Sequence, residues 1–476
     1  MKKNKDLTKK VTKEKIINLP ISRFIDTKYR EYATYVLEQR GIPNFQDALT
    51  PIQRYILKNT PTYFVKSLTV VGKVIEASYH HGNSSLESGI NRLARPYGNS
   101  TQLLEGYGFF GSEVSPDAAS ARYTSVKLSS VANNILNKYN YLTTKEPEGP
   151  YDPLWLDIPL GLVIPIIGIA IGYKTTILPR KIEDIQKFLD GKIKTLKPFF
   201  KDFNGTIEKY KNIDKSWIIT SKINILDNRI QIREIPPVVK YSSLLKRLDT
   251  LYSKFEGKIK ILNNSNTKVN IDVIYTGKSK EEFNEIHDFV YKTFSIIVTE
   301  SLVFIKEGQV LVYDSVEEYL IDYKWQISKL KFKNNEYEVN KLNFDINFNN
   351  AKELFIGFIL SKKRTNQEIT EWLKNYETEI CERLERMTSR KFTTDELKET
   401  RETIKELNEE LKLKQKELKE SKKEFELLKD PTEKKGIKSR KNTINLLDDI
   451  GNILEDKNGI KIFNIDEEIE EIIEED

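Results

Sequence analysis

Leu397, Ile404, Leu411, Leu418 and Phe425 recur every seven residues through otherwise charged surroundings. Such a repeat draws one narrow apolar stripe along a helix, and the stripe is stable only against a second helix. A partner lies upstream. No proline interrupts 316–362, where Tyr323, Ile327, Leu330, Tyr337, Phe344, Phe348, Ala351, Phe355 and Phe358 fit helical steps. Asn334, Asn335 and Gly357 weaken the case for one unbroken helix there. Thr393-Thr394 before Asp395-Glu396 supplies a start signal for the second helix. The expectation is an antiparallel coiled-coil arm over 316–430 with a small globule near 376–393. A helical hairpin inside an ordinary bundle is the alternative, and the length and surface charge favour the arm.

The rest reads as multidomain α+β. Residues 1–16 are lysine-rich and poor in apolar residues, as in a disordered basic arm. From 17 to about 141 the pattern is mainly helical, with runs at 29–38, 46–58, 67–78 and 84–94. The last two flank Tyr79-His80-His81-Gly82 and suggest a helix-turn-helix whose second helix, ending near Asn91, Arg92 and Arg95, enters a DNA groove. Between 151 and 315 strands are expected at 217–225, 228–234, 269–275, 295–298, 303–306 and 310–313, with a helix at 242–255. Residues 431–476 are a linker and an acidic tail.

Composition limits the chemistry. The 476 residues carry 77 Lys and Arg against 71 Asp and Glu, a net charge of only +6, so the placement of charge matters more than its sum. One cysteine and three histidines leave no disulfide framework and no Cys- or His-based metal cluster, which fits a reducing cytoplasm. The longest apolar run, 158–173, is broken by Pro159, Pro165 and glycines, so it reads as buried strands and turns rather than a membrane span.

Six blocks carry a family resemblance. The segment 29–54, YREYATYVLEQRGIPNFQDALTPIQR, resembles the opening of the breakage–reunion subunit of type IIA DNA topoisomerases. Tyr79-His80-His81-Gly82 is similar to the family's Tyr-His-Pro-His-Gly turn without its proline. Glu105-Gly106-Tyr107-Gly108-Phe109-Phe110-Gly111-Ser112 is similar to its glycine-rich loop, and Ala121-Arg122-Tyr123 to its nucleophile motif. Gly168-Ile169-Ala170-Ile171-Gly172 and Arg233-Glu234-Ile235-Pro236 continue the likeness in the family's order. In size and in the two-histidine turn the chain looks closest to the separate medium subunits of T4-like phages, whose setting is a host's cytoplasm.

The resemblance implies a winged-helix nucleophile domain at 17–150, a tower domain at 151–315 and an arm whose tip is a C-terminal dimer gate. It implies that Tyr123 attacks the DNA backbone and keeps the 5′ phosphate. A tyrosyl ester suits reversible cleavage because it conserves the phosphodiester's energy and leaves readily. Arg122, Arg40 and His81 are implied to assist at the scissile phosphate, where negative charge builds. His80, Ser84, Arg92, Arg54 and Lys73 are candidate DNA contacts. Ile169 matches an isoleucine that wedges between base pairs and bends the duplex. Taken alone, each of these residues has an ordinary structural reading.

Departures accompany the likeness. Where the family has Asp-Gly-Leu-Lys-Pro, this chain has Asp47-Ala48-Leu49-Thr50-Pro51, and Tyr55 replaces a basic residue after Arg54. The sequence carries no glycine-rich ATP site and no Glu…Asp-x-Asp magnesium cluster. Mg²⁺ and ATP are therefore expected on a separate ATPase/TOPRIM subunit, with double-stranded DNA and a second copy of this chain as further partners. No repeated propeller-like domain follows, so relaxation or decatenation is expected over wrapping-driven supercoiling. The alternatives are an architectural DNA-bending protein of the same fold and a coiled-coil scaffold.

Overall fold

The computed structural model describes Arg23 and residues 28–77, 82–137, 152–211, 213, 215–387, 392–428, 430 and 444–445. The basic arm 1–16 and all of 431–476 except 444–445 lie outside the described residues.

Helix α1 (Arg30–Val36) widens into a π-turn, Leu37–Gly41. Helix α2 spans Pro51–Asn59, five residues later than the run expected from 46. The delay has a local cause. Ala48 adopts φ 56°, the Asp47 carboxylate accepts from the Leu49 amide, and Thr50 and Gln53 form a capping box ahead of Pro51. Strand β1 (Val65–Lys66) leads into α3 (Ser67–Glu76), and α4 follows as Asn83–Ala94. Val70, Val71 and Val74 of α3 and Leu86, Ile90 and Leu93 of α4 fill one core.

Strands β2 (Leu104–Tyr107) and β3 (Ser125–Leu128) join β1 in an antiparallel sheet ordered β1-β3-β2, before α5 (Ser130–Asn137). A mainly helical reading of this region misses that sheet. Its strands have two to four residues and are held by pairing rather than by any local pattern.

The apolar run near 158–173 forms a 3-10 turn (Leu160–Val163) and the start of a hairpin, β4 (Ile166–Ala170) with β5 (Tyr173–Ile177). Helix α6 (Ile182–Leu189) follows. Strand β6 (Thr206–Lys209) pairs with β7 (Ser216–Thr220), while β8 (Ile223–Leu226) pairs with β9 (Arg229–Ile232). The single strand expected over 217–225 is thus two strands in different sheets. The chain changes sheets at Ser221, whose amide donates to the Phe294 carbonyl, and Lys222, whose amide donates to Glu234. Helix α7 (Tyr241–Lys254), β10 (Ile259–Asn263), β11 (Ile271–Tyr275), α8 (Lys280–Thr293) and β12 (Ser295–Thr299) complete sheets ordered β10-β11-β9-β8 and β12-β7-β6.

Strands β13 (Leu302–Lys306) and β14 (Gln309–Tyr313) then return to the first core. That core also takes in residues 154–196 and the first turns of α9 (Val316–Ser361), so packing does not follow the boundaries at 151 and 315. Arg180 and Glu300, both buried, form a bidentate pair that Trp217 Nε1 joins, tying the β5 end to β7 and β12.

Helix α9 is continuous through Asn334, Asn335 and Gly357. Asn335 donates across to Ser421, and Phe332 stacks on Phe425, so lateral contacts outweigh weak local propensity. Short helices α10 (Asn366–Leu373) and α11 (Thr378–Glu385) precede α12 (Thr394–Leu427), which Thr393 caps at its N-terminus. The two long helices run antiparallel. Phe425 meets Trp325 at one end, Lys414 pairs with Glu338 midway, and Lys352 pairs with Glu396 at the other end. Phe355, Leu373, Ile380 and Leu384 form a separate core at the far end. Residues 444–445 (β15, Ile444–Asn445) pair with β14. No described helix is long and apolar enough to cross a membrane.

Candidate nucleic-acid cleavage site

Tyr123 lies in a turn just ahead of β3, the central strand of the small sheet. The turn is tied to the start of α3 on both sides. Leu68 N donates to Ala121 O, Ser67 N donates to Thr124 O, and the buried hydroxyls of Ser67 and Thr124 lie 2.7 Å apart. Behind it, Ala119 N donates to Phe109 O, and Gly111 turns at φ 84° where an added Cβ would overlap the Pro116 carbonyl. The backbone around the nucleophile candidate is therefore fixed while its side chain is 69% exposed. The Arg122 guanidinium is also exposed and lies 6.0 Å from the Tyr123 ring centroid.

Arg40 and Ile169 are brought together by two glycines. A Cβ on Gly41 would overlap the Ile169 carbonyl, and one on Gly168 would overlap the Gly41 carbonyl. The π-turn bearing Arg40 thus packs backbone to backbone on β4, with Arg40 exposed and Ile169 half in solvent. Lys73 on α3 and Ser84 and Arg92 on α4 are at least partly open to solvent, and the Arg92 carbonyl accepts from Asn99. His80 and His81 lie outside the described residues.

Arg54 does not fit the DNA-contact expectation. It is 4% exposed, and its guanidinium is taken by both oxygens of buried Asp47, at 2.6 and 2.8 Å, and by the Leu49 carbonyl. Such a pair holds the loop before α2 rather than a phosphate. Beside it, burial and the Arg54 charge push the Lys58 ammonium down to about 8, and its Nζ donates to the Asp152 carbonyl. Arg95 is also turned inward: its guanidinium stacks 5.1 Å from the Tyr97 ring, and burial lowers its pKa and raises that of Tyr97. Burial likewise raises the pKa of Glu113, with Glu234 adding to the effect.

Exposed apolar side chains stand on segments bonded to the Tyr123 turn: Leu68, whose amide donates to Ala121, Tyr107, opposite Ser125 in the sheet, and Phe109, whose carbonyl accepts from Ala119. Phe64 and Tyr107 meet edge to face at 6.3 Å. The sequence motifs also leave out Ile167 and Lys174, which share the exposed face of the hairpin with Ile169. The two-residue alternation of a strand is the signal that finds them. Among the described residues no three His, Cys, Asp or Glu side chains gather to hold a metal, so they do not fit a magnesium cage.

A family model described as the A subunit of DNA gyrase/topoisomerase IV matches residues 40–432. The DNA topoisomerase medium subunit of Enterobacteria phage T4 is 28% identical over 420 residues, covering 80% of this chain and 92% of that protein. The A subunit of DNA topoisomerase 4 from Staphylococcus epidermidis is 26% identical over 336 residues, covering 62% of this chain and 42% of its own length. The DNA gyrase A subunit of Buchnera aphidicola is 25% identical over 422 residues, covering 77% and 49% respectively. The chain thus spans less than half of these two bacterial relatives. A solved structure of the DNA-binding, cleavage and re-ligation domain of Plasmodium falciparum topoisomerase II aligns with TM-score 0.59 at 22% identity, over 84% of this chain and 63% of that one. That likeness concerns the fold, a mixed α/β architecture.

Proposed function

The chain belongs to the A-subunit family of DNA gyrase and topoisomerase IV, and from that premise we propose that it is the DNA-cleaving and religating subunit of a type IIA topoisomerase, with Tyr123 as nucleophile. The observation that carries the assignment of Tyr123 is its exposed phenol on a turn locked to α3, with Arg122 beside it.

The phenolic oxygen attacks a backbone phosphorus, the bond to the 3′ oxygen breaks, and the proton lost by tyrosine ends on the departing 3′ hydroxyl. The 5′ phosphate stays on Tyr123. Religation is the reverse, with the 3′ hydroxyl displacing tyrosine and no net energy input to either step. Arg122 and Arg40 supply guanidinium donors for the charge that develops on the phosphate, in the planar fork that matches phosphate oxygens. His81 is assigned the neighbouring proton-transfer or hydrogen-bonding role.

Two copies cut the two strands, with the exposed apolar side chains on the segments bonded to the Tyr123 turn covered by the second copy. In this reading α2–α4 with β1–β3 form a winged-helix unit, and the sheets from β6 to β12 form a tower. The paired α9 and α12 are a coiled-coil arm whose tip closes an exit gate. ATP and Mg²⁺ belong to a separate ATPase/TOPRIM subunit, and the assembly works in a cytoplasm, a host's if the chain is viral.

The test combines this chain with that ATPase/TOPRIM partner, plasmid DNA and Mg²⁺, followed by detergent trapping. Protein attached at DNA 5′ ends, lost in Tyr123→Phe, is the expected result. A confirmed complex of both proteins on DNA that never forms the attachment would leave an architectural DNA-bending role instead.

A further inference from the structure

Strand β4 is buried on one face and open on the other. Ile166 and Gly168 are buried, whereas Ile167 is 52% and Ile169 42% exposed. The register of the hairpin sets Lys174 directly across from Ile169 and Thr176 across from Ile167. Opposed residues of an antiparallel pair point to the same side, so Ile167, Ile169 and Lys174 share the open face. Lys174 is exposed, and the bond at this residue runs from Ser301 Oγ to its carbonyl.

Two solvent-facing isoleucines on an otherwise buried strand are a poor surface for water and a good one for a ligand that offers apolar surface, such as the faces of unstacked base pairs. Residues two apart on a strand are separated by roughly 6.5–7 Å, about two base-pair steps of 3.4 Å. The face is continuous with Arg40 through the Gly41–Gly168 contact. Resting on the reading of Ile169 as a wedge, we infer that Ile167 and Lys174 complete a three-point DNA-bending surface. Ile169 enters a base step, Ile167 lies in the minor groove about two steps away, and Lys174 holds the backbone phosphate beside the wedge. The arrangement matches what a wedge-bent duplex requires: apolar insertion plus a cation on the flanking phosphate backbone.

The test uses the complex of this chain with its ATPase/TOPRIM partner on a duplex carrying fluorophores at both ends. Energy transfer reports the bend, and titration at several salt concentrations reports phosphate contacts. Ile169→Thr, which keeps a β-branched side chain, is expected to abolish most of the gain in transfer. Ile167→Thr should lose a substantial part of that gain with the salt slope unchanged. Lys174→Ala should lower the slope of log K against log salt by about 0.9 per copy, and Lys174→Arg should restore it. All three positions are exposed, and unchanged melting temperatures confirm intact folding. If Ile169→Thr straightens the DNA while Ile167→Thr and Lys174→Ala behave like the parent, this inference falls and the wedge reading stands. If Ile169→Thr bends DNA like the parent, the wedge reading fails and takes the inference with it.

Discussion

The molecule uses the same two side chains, tyrosine and arginine, in opposite ways at two places. Around Phe45, the residues Tyr313, Tyr319 and Tyr323 are fully buried, and each hydroxyl is spent: on Asp322, on the Phe45 carbonyl and on the Leu156 carbonyl respectively. Burial raises the pKa of Tyr319 well above its ordinary value. Arg54 is locked to Asp47. At the turn before β3, Tyr123 and Arg122 face solvent on a rigid backbone. Environment decides whether a phenol and a guanidinium serve as structure or as reagents: the buried groups have partners already, and the exposed pair can accept a phosphate.

Substitutions in the two regions should separate function from stability. Tyr123→Phe is expected to remove all covalent DNA attachment with a melting temperature unchanged within error, read by detergent trapping and thermal unfolding. Loss of stability there would break the contrast. Arg54→Met strands the Asp47 carboxylate in the core and should cost about 3–5 kcal/mol. The salt slope of DNA binding should not change, which denaturant unfolding and titration would check together. Tyr319→Phe leaves the Phe45 carbonyl without its donor and should cost about 1–2 kcal/mol with cleavage per folded molecule intact.

The smallest effect is a pH dependence. Lys58 titrates at about 8 in the folded chain against roughly 10.4 when unfolded. Between those values the unfolded state binds more protons, so this group's contribution to stability rises with pH across that window and is lowest below about 8. Allowing for solvent screening at this half-buried site, the rise is about 1 kcal/mol, and Lys58→Met should flatten it in unfolding curves compared across pH.

The contrast also marks what is legible in sequence. The ends of α3 and α4 and the seven-residue repeat of α12 can be read because local spacing determines them. The β1-β3-β2 sheet cannot, since its order is a long-range pairing of very short strands. Arg54 looks like a DNA contact in sequence because its partner sits seven residues back, in a loop that only the folded chain turns towards it. Ile167 and Lys174 escape a motif search for a related reason: the hairpin register that joins them to Ile169 is set by pairing.

Helix α9 begins inside the core that also holds α3 and β3, with Val316, Tyr319, Leu320, Tyr323 and Ile327 among its members. From Ile327 to the last helical residue, Ser361, it reaches roughly 50 Å at 1.5 Å per residue. A rigid rod of that length, rooted in the core, has the geometry of a lever arm. A tilt of about 10° at the root would sweep the far cluster through roughly 9 Å on that geometry. A small angular adjustment at the base would therefore be amplified into a displacement wider than a side chain at the distal end.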